Sequence, residues 1–413
     1  MRRSRDETGD VMSRTADYTI KGFLYQFNKT LLEILNSQED SIVTVEGIVE
    51  DVEIATPTTM TAIQCKYHEA AETFTPSGLF KPLLQMMDHF CANAGASIRY
   101  ILFAHYPSVK GKAQPAVGKV EFQAALDSKN KDFEGVVARL RGKLDLDAFL
   151  AKFTMEFGAT FDDLVTQVSA ALKANGIPDG DIDILAYPNA LNMIAGLSVK
   201  HNPTERTLTK RQLLQALRSI RKTAISRWTM ALRTQKQLLD ARRKQMKIHL
   251  DKNSRLRYFV VDPKSLDDYE EEIVLFVGDY LDKYHFKTAH ISTPVLCLCT
   301  SEEDFKSVQY RLYAKGIISS VGYIGEHFEE SRFFREPLTS RGAGGAVKRE
   351  FSIRLLRWED HGVILNNRKC DDLFILGEPE CDSLNTVDVN VEHLGATSLK
   401  EVKYVMGVSN VYE

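Results

Sequence analysis

The sequence predicts an α/β protein in three parts: an N-terminal αβββαβ core, a helical middle region and a C-terminal α/β unit. Three observations predict it. Residues 46–67 read as strand-like runs, E-G-I-V-E-D-V-E-I and T-A-I-Q-C-K-Y, around the short loop A-T-P-T-T-M. Residues 99–105, R-Y-I-L-F-A-H, form a continuous apolar run of the kind that is buried on both faces of a sheet. Past residue 257 short apolar runs alternate with helical patterns, as they do in α/β units. With 413 residues, 44% hydrophobic and 26% charged, the chain is long enough for two or three cores and reads as soluble and globular.

The elements follow in order. Residues 1–16 start M-R-R-S-R-D-E with no apolar stretch behind the basic start, so they are expected to be a disordered leader and not a secretory signal. A helix is expected over 18–35, with Phe23, Phe27, Leu31, Ile34 and Leu35 on one face. Strands are expected at 42–45 and 48–54, broken at Gly47, and at 62–67, before a helix at 79–91 and the strand at 99–105. A Pro/Gly/Lys-containing loop at 108–118 then marks a domain margin, which gives a first domain of 17–118.

Chemistry concentrates on the hairpin. Side chains alternate along a strand, so Gln64 and Lys66 share a face, and a short loop would return Asp51 beside them. An acid, a second oxygen ligand and a lysine at one point can hold a divalent cation against a phosphodiester. The plain alternative is an ordinary alternating strand with an exposed Q-x-K.

The order αβββαβ with D…Q-x-K on its hairpin, together with G-F-L-Y-Q-F, V-E-G-I-V-E-D, I-Q-C-K-Y and I-L-F-A-H-Y, resembles the PD-(D/E)xK nuclease superfamily. The wording is similar to the double-stranded-DNA endonuclease domain of bacterial anti-phage effectors, including nucleotide-activated ones and ones paired with a HerA-type ATPase. The resemblance covers residues 18–106 and implies a restriction-endonuclease-like core cleaving double-stranded DNA with Mg²⁺ or Mn²⁺. It implies Asp51, Gln64 and Lys66 as catalytic residues and Asp51 and Gln64 as metal ligands, with Glu46 or Glu50 as an extra ligand and Gln26 as support. Gln64 stands where the family usually has Asp or Glu. Its amide oxygen can ligate Mg²⁺ but brings no charge. A catalytically weak nuclease-like subunit of a larger defence complex is the alternative.

The middle region, 119–256, reads as mostly helical, with Phe149, Phe153, Phe157, Leu164, Val168 and Leu172 at three-to-four spacing. Thr209 and Gln212 read as a capping box opening one long helix toward Leu250. Between 210 and 257 lie 15 Lys/Arg against Asp240 and Asp251, an excess of 15 − 2 = 13 in a protein of net charge −3. Such a stretch can track phosphates, with Arg242, Arg243, Lys244 and Lys247 as candidate DNA contacts, or can pair with an acidic partner.

The last unit, 257–413, is expected to have strands at 257–262, 294–300, 318–324, 351–354, 363–365 and 372–376, and helices at 266–284, 302–314 and 398–404. It is expected to serve assembly or sensing. No G-K-[ST] phosphate loop occurs, so nucleotide hydrolysis is expected from a partner, which the resemblance suggests is a HerA-type ATPase. About three-quarters of the chain lies outside the nuclease core, and cutting two strands takes two sites; both favour a homo-oligomer. Six scattered cysteines, with Cys297 and Cys299 inside an apolar run, argue against a disulfide framework or a zinc site and for a reducing cytoplasm. No apolar run is long enough to span a membrane. His68 reads as a loop histidine in preference to a proton shuttle, His89 and His105 as structural, and Arg206 and Arg335 as ion-paired with Glu205 and Glu336.

Overall fold

In the computed structural model, which describes residues 8–47, 51–56, 58–68, 74–93, 95–109, 117–252, 255–287, 290, 292–341 and 347–411, the first apolar stripe is a buried helix face. Helix α1 (Thr8–Asn36) buries Phe27, Leu31, Ile34 and Leu35, while Phe23 stays 41% exposed. Residues 8–16, expected in a disordered leader, are the first turns of α1. Residues 1–7 of that leader lie outside the described residues.

The chain divides into two units, Met1–Arg221 and Lys222–Glu413, so the boundary falls inside the expected middle region. The first unit is built on strands β1 (Ile42–Val45), β2 (Val52–Ala55), β3 (Met60–Tyr67), β4 (Ile98–His105), β5 (Phe153–Phe157) and β6 (Thr207–Thr209), in the order β5-β4-β3-β2-β1-β6. β1, β2 and β3 form an antiparallel meander, β4 and β5 continue parallel to β3, and β6 closes antiparallel on β1. The αβββαβ order of the N-terminal core is therefore present, with α2 (Phe80–Ala92) between β3 and β4. The pleat sorts the faces. Ala62, Tyr100, Leu102 and Ala104 pack with Leu83, Leu84, Met86 and Met87 of α2. On the other face Tyr25 of α1 stacks on Tyr67 and Phe103 at 4.6 and 5.6 Å.

Three expectations change. Phe149 is helical (Leu146–Leu150), but Phe153 and Phe157 lie in β5, because a spacing of four is one helical turn and also an even step along a strand. The single long basic helix is instead Lys210–Ser219, Arg227–Met230 and Gln235–Leu250, the first in one unit and the others in the next. The capping box of Thr209 and Gln212 does open the first of these. Residues 363–365, expected as a strand, are part of a 3₁₀ turn, Gly362–Asn366.

The second unit carries β7 (Arg257–Val261), β8 (Val295–Leu298), β9 (Ser319–Ser320), the ribbons β10 (Tyr323–Ile324) with β11 (His327–Phe328) and β12 (Thr339–Arg341) with β13 (Val347–Arg349), then β14 (Ile353–Arg357), β15 (Asp372–Leu376) and β16 (Asn390–Leu394). Its main sheet, β16-β15-β7-β8-β14-β9, is parallel throughout. Parallel strands need both faces covered, and all five residues of β7 and of β15 are buried. Two buried ion clusters hold its sequence-distant parts together. Arg242 and Lys222 both bind Glu392, and Arg255 and Arg257 both bind Asp372. Among the described residues no helix is long and apolar enough to cross a membrane, and all six cysteines are free thiols.

Candidate functional site

The hairpin register does what the spacing predicts. Val52 stands opposite Ile63, which carries Asp51 to the level of Gln64 with Lys66 two residues on. The Asp51 carboxylate accepts a hydrogen bond from the Cys65 backbone N–H at 2.7 Å, fixing it against β3. Gln64 is 8% exposed, and its side-chain oxygen Oε1 is buried with no hydrogen-bond partner. A buried amide oxygen left unpaired costs roughly 1–3 kcal/mol unless something else approaches it.

Glu46 joins them from the β1–β2 turn. It sits at φ +48°, a left-handed backbone uncommon for a glutamate, and its N–H donates to the Asp51 carbonyl at 2.8 Å. Two groups hold it there. Gln26 of α1 donates from Nε2 to its Oε1 at 3.0 Å, and Arg206 donates from Nη1 to its backbone carbonyl at 2.8 Å. Glu50, the other candidate ligand, lies outside the described residues.

Electrostatics agree with one crowded acidic point. Burial, and secondarily the Asp51 charge, push the Glu46 carboxyl above its usual range, against the pull of Arg206 and Lys66. Burial also raises Asp51, opposed by the Cys65 N–H and by Lys66. Two carboxylates that hold their protons unusually well, beside an unpaired amide oxygen, form a hard oxygen donor set suited to Mg²⁺ or Mn²⁺. Among the described residues no group of three His, Cys, Asp or Glu side chains forms a metal cage. An ion here would be held by Asp51, Gln64 and Glu46 together with substrate phosphate.

Sequence reading missed three contributors. Arg206 was expected to pair with Glu205; it donates instead to the Lys200 and Glu46 carbonyls, and Lys200 is the partner of Glu205. Glu53, two residues beyond Asp51, is 6% exposed, and its carboxylate end packs on Gly47 so closely that a Cβ there would force that side chain to shift. Tyr106 stacks on His68 at 4.5 Å. Only the unusual N-P-T-E-R setting of Arg206 gave any signal in the sequence. His89 and His105 are structural, bonded through Nδ1 to the Tyr100 hydroxyl and the Gly158 carbonyl. Arg335 pairs with Glu350, while Glu336 binds Arg354 and Arg368.

The expected DNA contacts separate. Arg242 is 3% exposed and paired with Glu392, so it is a core residue of the second unit and not a phosphate contact. Arg243 is half-buried, stacked over the Tyr404 ring at 4.7 Å and bonded to Asn410. Lys244 and Lys247 are exposed on the same helix. If they meet phosphate, changing both to alanine lowers the slope of log affinity against log salt by roughly 2, alike for all DNA sequences. An unchanged slope in a salt titration assigns them to solvent or to a protein partner.

No protein-family model matches the chain, and no curated protein matches it. Among solved structures, the Acinetobacter baumannii Cap4 SAVED/CARF-domain containing receptor aligns over 94% of this chain and 92% of that one, at 12% identity and TM-score 0.30. The same receptor with the cyclic trinucleotide 3'3'3'-cAAA aligns over 94% of each chain, at 11% identity and TM-score 0.29. At that similarity the likeness carries no weight in the functional argument.

Proposed function

We propose that the first unit is a metal-dependent endonuclease acting on double-stranded DNA, and that the chain is an effector of a bacterial anti-phage system. The observation that carries the chemistry is the buried, unpartnered Gln64 Oε1 at the level of Asp51, with Glu46 and Lys66 acting electrostatically on the same point. Asp51, Gln64 and Glu46 would hold Mg²⁺ or Mn²⁺, which when bound neutralises charge on the phosphoryl oxygens and polarises water. Asp51 is positioned for this by the Cys65 N–H, and Glu46 by Gln26 and Arg206. Lys66 orients the attacking water and offsets the charge that builds on the phosphate. The defence role, a HerA-type ATPase or other partner, a homo-oligomeric assembly and release of activity by a partner or ligand rest on the family resemblance of residues 18–106.

The second reading, a nuclease-like fold serving assembly, is favoured by the neutral Gln64 and by the lack of a three-ligand cage among the described residues. The two readings separate in one experiment. With millimolar Mg²⁺ the full chain should nick and linearise plasmid DNA, EDTA should stop it, and Mg²⁺ alone should raise the melting temperature. No cleavage and no Mg²⁺-dependent shift would leave the assembly reading standing.

A further inference from the structure

Buried polar atoms without partners are uncommon, and four of them occur within β3 or just past the ends of β3 and β4: Gln64 Oε1, His68 Nε2, the Tyr106 hydroxyl and the Ser108 hydroxyl. Gln64 belongs to the site already described. His68 immediately follows β3, two residues past Lys66, whose charge acts on it. Its backbone N–H donates to the His105 carbonyl at 3.1 Å, and its ring is stacked on Tyr106 with an interplanar angle of 21°. Phe74 closes edge-on over Tyr106 at 5.0 Å. The imidazole is thus held in a fixed plane with one nitrogen uncommitted.

We propose that His68 is a further catalytic residue of this site, the acceptor of the proton given up by the attacking water. The inference rests on the nuclease reading above. The other side chains at this point suit the role less well. A lysine ammonium has donors and no acceptor, Asp51 already accepts from the Cys65 N–H, and the carboxylates are the groups that would face the cation. A neutral imidazole keeps one free lone pair. Burial, then the Lys66 charge, then His105 keep His68 neutral, its protonation lying below the usual histidine range. In the step, the water oxygen forms a bond to phosphorus and the bond from phosphorus to the 3'-oxygen breaks. The water proton passes to His68 Nε2, and the 3'-oxygen leaves with a proton from solvent water.

The test uses the full chain with plasmid DNA and Mg²⁺. His68→Ala should lower the cleavage rate on the order of 10²–10⁴-fold with DNA affinity unchanged. Free imidazole should restore His68→Ala at least tenfold, more strongly as pH rises and imidazole loses its proton. His68→Gln, which keeps a polar side chain but takes no proton, should stay slow. If wild type cleaves and His68→Ala stays within threefold of it, or if its loss is not restored by imidazole, the inference is overturned and the nuclease reading stands. If wild type shows neither metal-dependent cleavage nor a Mg²⁺-dependent rise in melting temperature, the nuclease reading falls, and this inference falls with it.

Discussion

On the proposed function, Asp51→Asn should abolish cleavage and make the metal-free protein more stable at neutral pH. The expected activity loss is on the order of 10³-fold or more, because the substitution would remove a negative ligand that the neutral Gln64 cannot replace. The stability gain comes from burial. The folded state holds the Asp51 carboxyl above its ordinary range, so it binds this proton more tightly than the unfolded chain does. On this group's account stability is present below the unfolded carboxylate range, near pH 4, and is lost as pH rises through the folded value. At pH 7 the ionised carboxylate is therefore a cost. An asparagine, which still offers an oxygen to the Cys65 N–H, should recover about 1 kcal/mol, or roughly 2–4 °C for a unit of this size. Differential scanning fluorimetry with and without Mg²⁺ checks it: wild type should gain on adding the ion, and Asp51→Asn should start higher and gain nothing. Glu46 is raised in the same way, so protons should displace the cation, and stop cleavage, at a higher pH than ordinary carboxylates would. A variant less stable than wild type at pH 7 would show the carboxylate to be a structural anchor.

Arg242→Ala should destabilise the second unit by about 3 kcal/mol and leave DNA affinity below the melting range untouched. Arg242 is buried against Glu392, which is 1% exposed. Removing the arginine strands that carboxylate with Lys222 as its remaining cation, 2.6 Å away and itself half open to solvent. Replacing both partners with apolar residues, Arg242→Met with Glu392→Leu, should recover most of the loss, because no buried charge is then left unpaired. Lys244→Ala, one residue away and exposed, should stay within ±0.5 kcal/mol. Urea titration of the three variants beside wild type, with a DNA-binding measurement on each, checks it. A full-strength melt for Arg242→Ala with weakened DNA binding would return Arg242 to the surface role.

These two residues also mark how far sequence reading reached. Asp51 was legible because its partners lie in the next strand and a short loop fixes their register. Arg242 was not, because its partner is 150 residues downstream and composition cannot tell a paired, buried arginine from a solvated one. The same limit hid β5 and β6. Phe153 and Phe157 satisfy the helical and the extended period at once, and Thr207–Thr209 is only three residues long, ending in a threonine that also caps the next helix. The parallel sheet of the second unit was legible as alternation of strand and helix, but not its strand order, which depends on contacts far apart in the chain.

The clamp on Glu46 has a consequence for synthesis. Arg206 follows Glu46 by 160 residues, and β6, which it immediately precedes, must pair with β1 to bring it there. On the ribosome, with chain extended at about 5–20 residues per second, the αβββαβ core emerges roughly 5–20 s before β6 does. Until β5 and then β6 emerge, the outer edges of β4 and β1 are unpaired, and the turn carrying Glu46 lacks its arginine. On the proposed function, a partly made chain would lack the clamped Glu46 until translation reaches β6. A fragment ending near residue 118 would remain permanently in that state, with two open strand edges prone to aggregation.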